Sequence, residues 1–328
     1  MSRATREAYR DSLLALLDRH PDLICLDTDT GLFSPEHAVG AGEQYLNLGI
    51  AEHNLMGIAA GLAASGRMPF VNTMAAFATS RALEAVKIDI AYNRLPVRIM
   101  ATHGGLAAGH LGPTHQALED LAVMRVLPGM TVVVPADAAA TEAFVEQSLN
   151  LDGPLYVRLG RNPSPPLPVG PPPVIGQAQT LRQGDDVVLA CCGPYPVLAC
   201  LAAADVLAGD GIEATVLNLH TLQPFDTATL VAAARPAGLV VTLEEHWRSG
   251  GLGGAVAEAL AEAAPTRVLR LGMPDRFVDT VGDQEHLIDH YGLTAERVVR
   301  TVRTALGATA LRGTAKEPTE DPIKERTT

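Results

Sequence analysis

Along this chain, short apolar runs alternate with longer stretches in which apolar positions recur among polar ones, and that alternation predicts strands and helices in turn. Residues 5–19 carry apolar positions at helical spacing among charges and are expected to be a helix. Leu23–Asp27 (LICLD) is expected as a short buried strand, with the loop Asp27–Gly31 at its end. Further strands are expected at Met68–Thr73, Pro96–Thr102, Thr131–Pro135 and Leu155–Leu159. Helices are expected over Phe77–Tyr92, where Leu83, Val86 and Ile90 recur at helical spacing, and over Asp137–Leu149. Strands that alternate with helices over short loops imply an α/β fold with a parallel sheet covered on both faces. Such sheets hold ligands beyond the carboxyl ends of their strands.

One stretch stands apart. From Ile50 to Ala64 nearly every residue is Ala, Gly, Leu, Ile or Met, the exceptions being Glu52, His53 and Asn54. The run is too short to cross a bilayer, which takes ~20 residues, so a buried helix with closely packed small residues is expected. Glu52 heads that helix. A carboxylate there either complements the helix dipole, gaining roughly 0.3–1 kcal/mol, or handles a proton in a dry site.

Between Pro163 and Pro173 lie seven prolines. That density excludes a helix or a central strand, so an extended connector is expected. A second α/β unit follows, with strands at Asp186–Ala190, Ala214–Asn218, Leu239–Thr242 and Val268–Leu271. Helices fall between them at Val197–Ala208, Asp226–Ala234 and Gly253–Ala263. The expected division is a first domain over residues 1–160, a linker over 161–184, a smaller α/β domain over 185–307, and a polar, disordered tail over 308–328.

Composition narrows the function. With 328 residues and 47% hydrophobic content there is material for two cores, which Ala, Val and Leu must fill because only 4% is aromatic. A net charge of −12 argues against a nucleic-acid binder. The opening segment has charges throughout and is no secretory signal. Cys25, Cys191, Cys192 and Cys200 form no CxxC pair, which suits buried thiols in a reducing, cytoplasmic setting better than a disulfide frame. Glu244, Glu245 and His246 cluster after a strand, but the glycines that follow fit a tight strand-to-helix turn, and no chemistry is assigned to them.

Several blocks fall together in order: NLGIAEHNLMGIAAGLAASGRMPF, a T-x-x-x-F segment ending at Phe77, THGG…GPTHQALEDLAVMRVLPGMTVVVPAD, and VRLGR. Over residues 23–306 the chain resembles the C-terminal half of a transketolase, a thiamine-diphosphate enzyme. It therefore looks like the small subunit of a split transketolase: a pyrimidine-binding domain followed by a transketolase C-terminal domain. The family's diphosphate motif, Gly-Asp-Gly with an asparagine some way downstream, serves Mg²⁺ through oxygen ligands. The tripeptide Gly209-Asp210-Gly211 is followed by Asn218 at the wrong spacing and reads as a helix-to-strand turn. The resemblance thus implies that a partner N-terminal subunit holds the diphosphate and Mg²⁺, in an α₂β₂ assembly.

The resemblance also assigns roles. Glu52 matches the glutamate that hydrogen-bonds the aminopyrimidine and favours the tautomer able to take the thiazolium proton. Phe77 matches an aromatic packed on that ring. Met74 stands where an aromatic is usual, and Ser80 where many members have tyrosine. His103 matches a substrate-phosphate histidine, His115 one that touches the donor's hydroxyl and carbonyl, and Arg161 a phosphate-binding arginine. On residues alone, a lone histidine after a strand is more often a structural hydrogen-bonder, and two flanking one glycine loop shift the reading toward a site. Arg158, shortly before Arg161 in the same strand, is expected to point to the same face and assist. The family stretch Glu-Asp-Gly-Pro-Thr-His-Gln is here HLGPTHQ, so His110 replaces the glutamate and Leu111 the aspartate that accepts the acceptor's α-hydroxyl. An apolar residue there implies an aldehyde acceptor other than an ordinary aldose phosphate. Alternatives are a deoxyxylulose-phosphate-synthase-like enzyme, a 2-oxoacid dehydrogenase beta subunit, or a non-catalytic partner. GPTHQ, and the set Glu52, Phe77, His103, His115 and Arg161, favour the transketolase.

Overall fold

The computed structural model describes residues 2–168 and 170–313, with side chains through Gly307. The first unit runs α1 (Thr5–Leu17), β1 (Leu23–Asp27), α2 (Pro35–Ala41), β2 (Tyr45–Asn47), α3 (Glu52–Ala64) and β3 (Met68–Met74). It continues through the short turns α4 (Ala75–Ala78) and α5 (Leu83–Ala85), then β4 (Arg98–Thr102), α6 (Asp120–Arg125), β5 (Thr131–Val133), α7 (Ala138–Ser148) and β6 (Leu155–Arg158). Strands β5, β6, β4, β3, β1 and β2 lie side by side in that order, all parallel. The residues of β1 and β4 are buried throughout, as a sheet covered on both faces requires.

The second unit comprises β7 (Gln179–Arg182), β8 (Val187–Cys191), α8 (Pro194–Gly209), β9 (Ala214–Asn218), β10 (Thr221–Gln223), α9 (Thr227–Ala237), β11 (Leu239–Trp247), α10 (Leu252–Ala263), β12 (Arg267–Met273), α11 (Gln284–Tyr291) and α12 (Ala295–Gly313). Its sheet has the order β12-β11-β8-β9-β7, with only β7 antiparallel. Strand β10 does not join it. It crosses over to pair antiparallel with β5, closing the edge of the first sheet. The fold is thus two α/β units with mostly parallel sheets, as expected.

Several elements differ from expectation. Phe77–Tyr92 is not one helix: it breaks after α4, turns, and resumes as α5 and a π-helical stretch over Val86–Ala91. The break has a local cause. The Thr79 and Ser80 hydroxyls donate back to the carbonyls of Ala75 (2.9 Å) and Ala76 (2.5 Å), competing with helix continuation. Helix α3 is buried on one face only, through Leu55, Met56, Ala59, Ala60 and Ala63. Gly57 and Gly61 lie on its other face, where an added Cβ would meet nothing within 4 Å, so these two glycines, unlike the buried alanines, do not serve close packing within this chain. Strand β7 begins inside the stretch expected as linker, and α12 runs on to Gly313. Residues 314–328, in the stretch expected as a disordered tail, lie outside the described residues. Gly209-Asp210-Gly211 is the expected turn: Asp210 caps α8, Gly211 has φ +77°, and the Asp210 carboxylate pairs with Arg303 at 2.6 Å. All four cysteines are free and buried.

Candidate active site

The carboxyl ends of β2, β3, β4 and β6 converge on one edge of the first sheet, and the expected site residues sit there. Glu52 follows β2 and opens α3 with only 2% of its surface exposed. Its carboxylate is not isolated: Arg81 Nη1 donates to Oε2 at 2.9 Å, and that guanidinium is half-exposed. The same guanidinium covers the Phe77 ring, 4.5 Å from its centroid. Phe77 in turn meets the His115 imidazole edge-on, with centroids 5.2 Å apart and planes at 75°. Four side chains from three segments therefore form one contiguous chain, and Arg81 is a member that the sequence pattern does not single out.

Met74 ends β3 and is half-buried, in register with Thr102 at the end of β4. Ser80 lies on the exposed turn beyond Phe77, its hydroxyl engaged by the Ala76 carbonyl. His103 follows β4 with φ +60°, a left-handed conformation costly for a residue with a Cβ and concentrated at functional sites. It is buried, and Thr102 Oγ1 lies 2.8 Å from its Nδ1. Burial, and then the charges of Arg6, Arg161 and His115, push its pKa down to about 4. Those couplings define a second group: Arg6 on α1, Arg161 after β6 and His115 lie close enough for their charges to act on His103. Arg6 is lowered by burial and by Arg161, and its buried Nε has no hydrogen-bond partner within the chain. Sequence reasoning misses Arg6, because nothing local in an amphipathic helix marks one arginine among several.

His115 belongs to both groups. It is half-buried, with Thr114 Oγ1 2.8 Å from Nδ1. His110 and Leu111 fall on the single 3-10 turn Gly109–Leu111, both exposed, Leu111 by 45%.

Arg158 is a correction. Strand β6 ends at Arg158 and Arg161 lies in the bend beyond it, so strand alternation does not put the two on one face. Arg158 is buried in the interface with the second domain, where Nη2 pairs with Asp120 Oδ1 at 3.0 Å and Nη1 donates to the Glu245 carbonyl at 2.9 Å. Glu244, Glu245 and His246 are buried in β11. Burial raises Glu244 to about 7, against hydrogen bonds from the Leu252 and Gly253 amides that open α10. Among the described residues no group of three or more His, Cys, Asp or Glu could hold a metal ion.

Comparison with known proteins decides what this arrangement is. Residues 1–165 match the transketolase pyrimidine-binding domain, and residues 176–298 the transketolase C-terminal domain. The chain belongs to the transketolase family. Relatives that it matches nearly end to end are split-subunit members, and it is a subunit of that type, a transferase. It is 39% identical over 300 residues to a subunit of the 6-deoxy-6-sulfo-D-fructose transketolase of Clostridium sp. strain MSTE9, covering 90% of this chain and 92% of that one. It is 37% identical over 302 residues to one subunit of the apulose-4-phosphate transketolase of Phocaeicola vulgatus, covering 91% and 96%. A solved split-gene transketolase, described as an inactive beta4 tetramer, superposes with a TM-score of 0.84 at 43% identity, covering 94% of this chain and 99% of that one.

The site fits one end of thiamine diphosphate. The Glu52 carboxylate and the half-exposed Phe77 ring, both engaged here by the Arg81 guanidinium, would offer an aminopyrimidine a hydrogen-bond partner and a packing surface once that guanidinium turns away. Its diphosphate end finds no counterpart at Gly209-Asp210-Gly211, whose aspartate is engaged by Arg303. No helix among the described residues is long and apolar enough to cross a membrane.

Proposed function

We propose that this chain supplies the pyrimidine-binding half of a heteromeric, cytoplasmic transketolase that moves a two-carbon ketol unit from an anionic ketose to an unusual aldehyde acceptor. The observation that carries this reading is the continuity of the Glu52–Arg81–Phe77–His115 chain with the Arg6–His103–Arg161 cluster. A cofactor pocket and an anion pocket share one histidine.

Thiamine diphosphate, when bound, supplies the nucleophilic carbon that accepts and releases the ketol unit. Glu52 is placed to hydrogen-bond the ring nitrogen of the pyrimidine, with α3 excluding water behind it. Phe77 packs on the ring, and Met74 and Ser80 border it with less aromatic surface than the family usually offers. Arg6 and Arg161 give charge to an anionic tail through their forked donors. His103, neutral at pH 7, adds a hydrogen bond without further charge. His115, against Phe77, stands where the donor's hydroxyl and carbonyl oxygens meet the cofactor. The diphosphate and its Mg²⁺ fall to an N-terminal partner subunit in an α₂β₂ assembly, a reading supported by the 92–96% coverage of chains named as subunits.

Leu111 sets the acceptor. Its exposed apolar side chain offers nothing to an α-hydroxyl, and His110 stands beside it in place of the family's glutamate. The relatives' named substrates, one a sulfo sugar and one a sugar phosphate, agree with an anionic substrate from specialised metabolism. Turnover by the two-subunit complex with ribose 5-phosphate and with a panel of non-hydroxylated aldehydes tests this. Preference for the non-hydroxylated acceptors, reversed toward the sugar by Leu111→Asp, is the expected outcome. A strong preference for ribose 5-phosphate in the unmodified complex would contradict it.

A further inference from the structure

Two buried side chains of the second domain reach the roots of the segments that carry the anion-binding and substrate-binding groups. Glu245 Oε1 accepts from the Leu106 amide at 2.5 Å and from Gln284 Nε2 at 2.8 Å. Leu106 lies just beyond His103. Gln284 Oε1 accepts from Asn162 Nδ2 at 3.0 Å, and Asn162 is the neighbour of Arg161. The Glu245 carbonyl accepts from Arg158 Nη1 at 2.9 Å, while Arg158 Nη2 donates at 2.6 Å to the carbonyl of Ala117, just past His115.

The fit around these contacts is tight. Gly105 has φ +62°, and a Cβ there would come within 2.5 Å of Glu245 Oε1. A Cβ on Gly109 would collide with the carbonyl of Gly282. The loop from His103 to His115 is therefore pressed onto the second domain, tied directly to the Glu245 side chain beyond His103 and only through Arg158 beyond His115. Adhesion between two domains needs no such device. A buried carboxylate costs desolvation that an apolar pair of similar volume avoids. What the carboxylate and amide add is fixed distances between backbone groups of separate segments.

We propose that Glu245 and Gln284 are positioning residues, through which the C-terminal domain holds His103 and Arg161 in register for the anionic substrate. The inference rests on the functional reading above. It gives the second domain a part in substrate recognition without contact with substrate.

The test uses Gln284→Ala, Glu245→Ala and Glu245→Gln in the two-subunit complex, with hydrogen exchange followed over residues 103–118. An amide at 245 can still accept from Leu106 and Gln284, so Glu245→Gln keeps KM near that of the unmodified complex. Gln284→Ala and Glu245→Ala raise KM for the anionic donor about tenfold, keep kcat and thiamine diphosphate affinity within about twofold, and speed exchange in 103–118 but not in α3. Unchanged KM and exchange in Gln284→Ala would overturn the proposal. So would equal losses of kcat and cofactor affinity, the mark of a merely structural defect. If the unmodified complex transfers no ketol unit, the functional reading fails, and the exchange difference alone decides whether the two residues hold the loop.

Discussion

The Phe77 ring and the His115 imidazole meet edge to face, 5.2 Å between centroids. Phe77 comes from the turn after β3 and His115 from the loop after β4, so the contact joins two neighbouring strand ends. On the Phe77 side lie Arg81 and Glu52; on the His115 side lie His103, Arg6 and Arg161. Truncating Phe77 removes both the packing surface for the pyrimidine and the support for His115. Phe77→Ala is expected to weaken thiamine diphosphate binding by the two-subunit complex about tenfold, the value of an aromatic contact by itself. Calorimetric titration checks it, and an unchanged Kd would remove Phe77 from the pocket.

Glu52 is almost wholly buried at the start of α3. Glu52→Gln keeps its volume and some hydrogen bonding but cannot carry the proton. Steady-state kinetics are expected to show kcat reduced about 10²–10⁴-fold, the range of a general acid–base contribution, with cofactor affinity much less affected. Turnover equal to that of the unmodified complex would favour a non-catalytic chain.

His103 carries a pH signature. Burial and neighbouring cations hold its pKa down to about 4, below the ordinary 6.5. Between those values the unfolded chain binds a proton that the folded chain refuses. The stability contributed by neutral His103 is therefore complete above pH 6.5, declines as pH falls through this window, and is fully lost below about 4. His103 is expected to stay neutral by NMR at pH 5.5, and Arg161→Ala to raise its midpoint. A midpoint near 6.5 would show that the anion pocket is not assembled as described.

At the domain interface, Asp120 pairs with Arg158 at 3.0 Å, both buried, while Tyr156 donates to the other Asp120 oxygen at 2.7 Å. Asp120→Asn takes from a buried guanidinium its paired counter-charge, leaving only the more remote Glu245, and is expected to cost about 3–5 kcal/mol in urea unfolding. The pair between the largely buried Arg125 and the 63%-exposed Glu258 offers the contrast, since Glu258→Gln there is expected to cost less than about 1 kcal/mol. Equal effects at the two sites would contradict the buried-pair assignment.

How much of this is legible in the sequence depends on where each signal resides. Fully buried strands such as β1, β4 and β8 announce themselves as apolar runs, and their alternation with helices marks the α/β class. Strand β10 does not, because three residues become a strand only by meeting β5 across the molecule. The helix expected over Phe77–Tyr92 fails where two hydroxyls bond backward, an effect that periodicity does not register. In the site, the residues that lie inside recognisable blocks are the ones the sequence points to. Arg6 and Arg81 escape it because their significance comes from tertiary approach. Arg158 is misplaced by it because a position in a strand does not show what covers that face.

The central claim is that this chain holds only the pyrimidine end of its cofactor. Calorimetric titration of thiamine diphosphate with Mg²⁺ into the chain alone, into the N-terminal subunit alone, and into their mixture tests it most directly. Tight binding is expected from the mixture and not from this chain alone, and Glu52→Gln in the mixture should lower turnover while leaving the titration largely intact. Tight binding and ketol transfer by this chain without a partner would contradict the account.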